Sequence, residues 1–296
     1  MPTPASTAPD QLDAPPHRHG PSRASGSRSG RGRGTGLPPL LLLPAALALA
    51  FLVLPLLALL VRAPWASLPE RLLSPGVGQA LRLSLVCASA ATVVCLVLGV
   101  PLAWVLARAT FPGRKIVRAL VTVPLVLPPV VGGVALLLLL GRRGLLGQYL
   151  DSWFGVTLPF TTPAVIIAEA FVAMPFLVIA VEGALRGADR RYEDVAATLG
   201  AGRWHVFRTV TVPLVAPGIA AGAVLSFARA LGEFGATITF AGSYPGRTQT
   251  MPIAVYSALE AGDTDGAVVL SLVLLVVSVT VLVSLRDRWL TGGAGP

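Results

Sequence analysis

A chain of 296 residues with 54% apolar and only 12% charged residues lies far from the composition of a water-soluble domain, where about a quarter of residues are charged. Its formal net charge of +9 comes from 23 basic residues, of which only Lys115 is a lysine, and their placement along the chain says more than their sum. The two cysteines, Cys87 and Cys95, share one apolar run; this excludes a disulfide framework or cysteine metal site and reads as two small core hydrophobes.

Residues 1–39 are rich in Pro, Ser, Gly and Arg, have almost nothing to bury, and read as a disordered basic arm. His17 and His19 within it carry no metal-site signal. Five Arg of the arm precede the apolar run Leu40–Val61. That run is too long for a signal-peptide core and long enough to cross about 30 Å of hydrocarbon, so it is expected to be an uncleaved first spanning helix. Further runs at 83–107, 119–141, 163–181, 212–241 and 267–285 are also long enough to span, and lipid leaves helices as the form they can take. The expected fold is therefore an all-α integral membrane protein with six transmembrane helices, a membrane domain over 40–285 and a tail over 286–296.

Six spans put both termini on one side. With the N-terminus inside, the inner segments hold 16 basic residues: five in the arm, four in 108–118, five in 182–211, and Arg286 with Arg288. The outer segments 62–82, 142–162 and 242–266 hold six. The positive-inside rule thus places both termini in the cytoplasm. The segments between spans are too short for a ligand-binding or nucleotide-binding domain. No His lies in any span and no His-Glu-x-x-His occurs, which leaves an intramembrane hydrolase without its chemistry.

Residues 182–211 form a long inner loop with helical character. Asp189 is placed to cap a helix, Glu193 and Asp194 put negative charge in its early turns, and Val195 with Leu199 makes a small apolar face. Gly200 is placed to end that helix in a left-handed turn, and Gly202 to let the chain reverse. A second amphipathic stretch puts Trp204 and Phe207 on one face before Pro213 and Pro217 open the fifth span. Physically this is either an interfacial helix that tidies a loop or a helix offered to a partner's groove. Spacing does not separate the two.

In the fifth span Arg229 and Glu233 lie four residues apart, each costing about 2.5–3.5 kcal/mol to insert alone. They are expected to pair on one face, either as a self-neutralised pair among helices or near a gate in the bundle interior. Gly232 and Gly235 would let another helix approach closely. Glu169, in the fourth span, is a third buried acid with no partner evident in the sequence.

The stretch Asp194-Val195-Ala196-Ala197-Thr198-Leu199-Gly200, followed after nine residues by Val210-Thr211-Val212-Pro213, resembles the signature of binding-protein-dependent importer permeases. In that family the pattern is Glu-Ala-Ala, three residues, Gly, nine residues, Ile-x-Leu-Pro. The spacing agrees throughout; Asp194, Val195, Val210 and Val212 are mild departures. The resemblance implies the type I ABC importer permease fold. It makes 182–211 the coupling loop that docks into an ATPase subunit through Glu193, Asp194, Val195, Ala196, Ala197, Leu199, Gly200 and Trp204. Lys115 lies between Arg114 and Ile116, so no Gly-Lys-Ser/Thr phosphate loop exists. ATP and Mg would sit on the partner ATPase, and this chain is expected to hold no catalytic residue, cofactor or metal.

The run 228–242 looks like the oxyanion branch of these permeases, with Arg229, Gly232, Glu233, Gly235, Thr237 and Thr239 along the translocation path or gate. Pro245–Pro252 with Tyr256, Pro124–Val131, Gly141–Gly144 and Trp153–Gly155 look like its molybdate subgroup, and the resemblance covers residues 40–285. It implies molybdate import by alternating access across a bacterial cytoplasmic membrane. The implied assembly is two copies of this chain, two ATPase chains and an extracytoplasmic molybdate-binding protein, in membrane lipid and without nucleic acid. A sulfate, thiosulfate or tungstate permease of the same branch is the near alternative, and a non-transporting membrane scaffold a remote one.

Overall fold

A computed structural model describes residues 39–291, and every regular element among them is helical. The basic arm, but for its last residue, and the last residues of the tail lie outside the described residues. The chain divides into two compact units, residues 1–51 and 52–296. In the first, the described residues are the opening turns of α1 (Pro39–Val61), whose side chains from Leu42 to Leu49 are exposed and apolar, a surface that suits lipid.

The second unit continues with α2 (Leu68–Leu72), α3 (Pro75–Arg108), α4 (Arg114–Val126), α5 (Pro129–Leu140), α6 (Gly147–Phe154) and α7 (Thr162–Gly187). Then come α8 (Arg191–Thr198), α9 (Arg203–Val206), a wide π turn (Phe207–Thr211), α10 (Val212–Leu231), α11 (Gly235–Ala241), α12 (Met251–Glu260) and α13 (Thr264–Thr291). Among the described residues five helices are long and apolar enough to cross a membrane, and α4 with α5 makes a sixth if the pair counts as one bent span.

The expected single helix over 119–141 is thus two helices meeting at 116°. Pro128 and Pro129 supply no amide hydrogens, and the residue before a proline is driven out of the helical region; Leu127 accordingly sits at ψ 133°. The expected span over 212–241 is also interrupted, at Gly232–Phe234 between α10 and α11. Other boundaries move outward: α3 begins at Pro75 rather than 83, α7 runs on to Gly187 rather than 181 and so takes in the start of the expected loop 182–211, and α13 runs from Thr264 to Thr291 rather than over 267–285.

The core is the mutual packing of α3, α7 and α10, and small residues make it possible. Ala88, Ala91, Cys95 and Ala103 of α3 face Ala170 and Ala173 of α7 in one buried cluster. On α10, a Cβ at Gly218 would stand 2.2 Å from Ala184 Cβ, and one at Gly222 would stand 3.2 Å from Ala180 Cβ. That four-residue glycine spacing lets two backbones meet where lipid offers no hydrophobic drive to associate. Ser226 Oγ donates to the Ala173 carbonyl at 3.1 Å across the same contact. Cys87 and Cys95 are buried free thiols, in keeping with a packing role.

Ion pairs tie the elements at both ends of this bundle. At the end carrying 108–118 and 182–211, Arg118 of α4 and Arg186 of α7 both hold Glu182, at 2.6 and 2.7 Å. At the opposite end Arg71 of α2 meets Asp263 at 3.0 Å, and Asp263 also accepts the Gly266 amide hydrogen at 2.9 Å at the start of α13. The Gly266 amide first, and then the Arg71 guanidinium, hold the Asp263 carboxyl below the usual aspartate range. A carboxylate favoured by the fold stabilises it fully above the unfolded value of about 3.9 and loses that contribution as pH falls through the lowered folded value. Asp263→Asn should therefore melt below the native chain by a steady margin between about pH 5 and 8, and the margin should close below about pH 4 in a thermal unfolding series.

Candidate functional site

Two places gather the residues singled out in the sequence. The first is the loop between α7 and α10. Asp189 does not occupy the capping position itself; α8 starts at Arg191, whose amide donates to Asp189 Oδ1 at 2.9 Å, so one free amide of the first turn is still satisfied. α8 ends as its composition anticipates. The amides of Gly200 and Ala201 donate back to the carbonyls of Ala197 and Ala196, at 3.0 and 3.1 Å, and Gly200 stands at φ +85°. This is the Schellman closure, whose left-handed residue is favoured as glycine. A Cβ at Gly200 would touch nothing, so the constraint there is conformational and not spatial.

The loop turns one face inward and one outward. Glu193 points in: its Oε1 lies 3.0 Å from Arg108 Nη2 at the end of α3 and accepts the Thr211 hydroxyl at 3.1 Å, with side-chain exposures of 16% for Glu193 and 8% for Arg108. Phe207 also points in, meeting Trp104 of α3 edge-on at 5.6 Å while stacking on Trp204 at 5.5 Å. Arg190 adds a hydrogen bond to the Ala107 carbonyl at 3.2 Å, one of the last carbonyls of α3. Asp194, Val195, Ala197, Leu199, Gly200 and Trp204 are exposed and Ala196 is half-buried. Leu199 is 83% and Trp204 72% exposed, and Tyr192 and Val195 extend the same apolar row along α8.

The second place is the break between α10 and α11. Arg229 Nη2 and Glu233 Oε2 approach to 2.6 Å, an ion contact without the alignment of a hydrogen bond. The other oxygen of Glu233 accepts the Ala236 amide hydrogen at 2.9 Å, so the carboxylate also satisfies the exposed first turn of α11. Glu233 is 1% and Arg229 26% exposed. Of the two glycines expected to allow close approach, only Gly235 does so: a Cβ there would lie 2.9 Å from Pro129 Cβ, and Gly133 of α5 lies correspondingly tight against Ala236 and Thr239. Gly232 is exposed, meets nothing closer than its own helix, and serves the break itself. Thr239 donates to the Gly235 carbonyl at 2.7 Å, whereas the buried Thr237 hydroxyl and one Glu169 oxygen have no hydrogen-bond partner among the described residues.

The α3 partners of this loop, Trp104 and Arg108, were not singled out from the sequence. Arg108 counts there only as a positive charge near a membrane face, and nothing local links it to a glutamate 85 positions later.

An all-helical bundle with two broken spans and a short exposed helix slung between two others has the architecture of a transporter's membrane subunit. The chain belongs to the family of binding-protein-dependent transport system inner membrane components, which matches residues 97–292. It is 48% identical over 254 residues to the molybdenum transport system permease protein ModB of Mycobacterium tuberculosis, covering 86% of this chain and 96% of that one. It is 46% identical over 213 residues to ModB of Escherichia coli K12, covering 72% and 92%. Among solved structures it shares its fold with the bacterial ABC transporter involved in import of the acidic polysaccharide alginate, with TM-score 0.70, 20% identity and coverage of 85% and 94%.

Proposed function

We propose that this chain is the permease subunit of a molybdate importer, working as two copies with two ATPase chains and an extracytoplasmic molybdate-binding protein. The observation that carries the substrate is 48% identity running through 96% of a molybdenum permease's length. The basic end of the bundle faces the cytoplasm in this reading, as the distribution of Arg and Lys supports. The exposed row Tyr192, Val195, Leu199 and Trp204 is then the surface an ATPase groove takes up, a helix-in-groove contact. ATP binding draws the two ATPase chains together and the loops with them, and the spans rock about a central site to open it outward. Binding by ATP drives this only through its differential affinity for the two states. Arg229, Glu233 and Thr237 lie on the path or beside its gate.

The test is uptake in proteoliposomes holding this chain, its ATPase and its binding protein. Molybdate-loaded binding protein should stimulate ATP hydrolysis and molybdate should accumulate, with tungstate tolerated and sulfate excluded. Accumulation of sulfate in preference to molybdate overturns the substrate. In the same system Gly200→Val should insert and assemble normally but lose most stimulated hydrolysis. A β-branched residue forced to φ +85° costs about 1–2 kcal/mol and shifts α8 toward other endings. Normal transport by that variant would separate the loop from coupling.

A further inference from the structure

One face of α3 is unpartnered along its length: Gln79, Arg82, Val86, Ser89, Val93 and Val97 are all exposed, at helical spacing, while Ala80, Ser84, Cys87, Ala91 and Cys95 opposite them are buried. The half nearer Pro75 is polar. From Gln79 to Ser89 it extends about 15 Å, after which only valines continue it. Arg82 and Gln79 lie in the outer segment 62–82, just beyond the expected span, so their polar groups are available to a ligand arriving from the outer side. Arg82 has no ion pair or hydrogen bond among the described residues, nor has the Gln79 amide.

These two side chains open onto a cavity of about 390 Å³ lined by Gln79, Arg82, Leu83, Val86 and Gly246. No acid lines it. Gly246 belongs to the segment Pro245–Pro252 that the sequence singled out and neither of the sites above absorbs. The segment is held in shape: the amides of Arg247, Thr248 and Gln249 all donate to the Tyr244 carbonyl, and the buried Thr248 hydroxyl accepts the Tyr244 amide hydrogen at 2.9 Å. Gly246 stands at φ +71°, and a Cβ on it would come within 3.5 Å of Gln79 Oε1. The cavity is thus lined by a planar five-donor cation, a carboxamide and Gly246, whose amide makes no hydrogen bond among the described residues, and the exposed Arg247 follows in the chain.

We propose that Arg82, Gln79 and the Gly246 amide form a receiving site for a free tetrahedral oxyanion at the outer end of α3. The guanidinium fork matches two oxygens of such an anion at once, and the neutral donors serve a third. A single exposed cation binds weakly enough to release its anion inward, as transport requires. The inference rests on the oxyanion-importer reading and on the outer placement of the Pro75 end of α3.

The experiment uses the full complex with Cys87 and Cys95 replaced by Ala and a single Cys introduced by Arg82→Cys. Its rate of reaction with a small methanethiosulfonate reagent is measured in phospholipid nanodiscs and in maltoside micelles, with and without molybdate. A Gln79→Cys variant is measured alongside, because it keeps Arg82. Molybdate is expected to slow labelling at position 79 at least fivefold in both media, and to lose that effect when Arg82 is also removed. Protection at 79 by phospholipid alone, absent in micelles and indifferent to molybdate, would assign the site to a lipid phosphate and overturn the proposal. In uptake, Arg82→Ala should lower the molybdate rate at least tenfold, and Arg82→Lys should fall between it and the wild type, because lysine keeps the charge but not the two-pronged fork. Wild-type uptake of molybdate together with full uptake by Arg82→Ala overturns this site alone; absence of molybdate uptake by the wild type overturns the reading it rests on.

Discussion

Glu233→Ala is expected to be the most damaging single substitution in the membrane region. The side chain holds two jobs at once: it neutralises Arg229 at 2.6 Å and satisfies the Ala236 amide at the start of α11. Alanine strips both, leaving a guanidinium at depth without its counter-charge and a helix end without its acceptor. Removing one partner of a buried pair costs about 3–5 kcal/mol, because the other charge keeps its desolvation cost. Glu233→Gln keeps an acceptor for the amide but not the charge, so it should fall between. Double replacement of Arg229 and Glu233 by Met and Gln should recover much of the loss, since a pair replaced by neutral groups of similar volume is often well tolerated. Glu260→Ala, on an exposed acid that receives the Tyr256 hydroxyl, should stay near wild type. The measurements are yield of folded complex, thermal unfolding in detergent and molybdate uptake. Equal behaviour of the Glu233 and Glu260 variants would remove the ion pair from any part in folding or transport.

The spans were legible because hydrocarbon permits one local solution to backbone hydrogen bonding, and length with hydropathy identifies it. Gly200 was legible for a similar reason: few residues end a helix in the left-handed region, and the spacing from Val195 and Leu199 left it in that position. The Arg229–Glu233 contact was legible because it is local, one helical turn long. What the sequence hid depends on neighbours distant in the chain. The elbow at Pro128 and Pro129 could be read as a kink, but its 116° angle depends on α11 crossing α5 at Gly133 and Gly235, a contact no periodicity encodes. The break at Gly232–Phe234 was hidden within an apolar run whose hydropathy is indifferent to whether the helix continues. Glu193 was readable as a member of the 182–211 loop, where it was expected to face a partner, yet its direction was not readable. Only the structure shows it turned inward to Arg108 while Leu199 and Trp204 face out.

That inward turn makes Arg108 and Glu193 the pair whose loss should uncouple the machine with least damage to its parts. Trp104 and Arg108 are one turn apart on the last stretch of α3, and each grips one side of the α8–α10 loop, the first through Phe207 and the second through Glu193. Thr211, at the entry to α10, holds the same Glu193 oxygen as Arg108. In the proposed importer these contacts are the route by which a push on α8 is passed to α3 and α10, two of the three helices that form the core. With Glu193→Ala or Arg108→Ala the exposed row of α8 is intact, so the ATPase should still bind and hydrolyse ATP at its basal rate. Stimulation by molybdate-loaded binding protein should drop about tenfold, corresponding to about 1.4 kcal/mol of lost coupling, the scale of one inter-site coupling energy. The exchanged pair Arg108→Glu with Glu193→Arg should regain stimulation well beyond either single change, although Thr211 then faces a guanidinium and full recovery is not expected. A double-mutant cycle on stimulated hydrolysis measures this directly. Additive losses with no rescue would make the contact a fastening of the loop alone, and the force would then have to pass through Trp104 and Phe207.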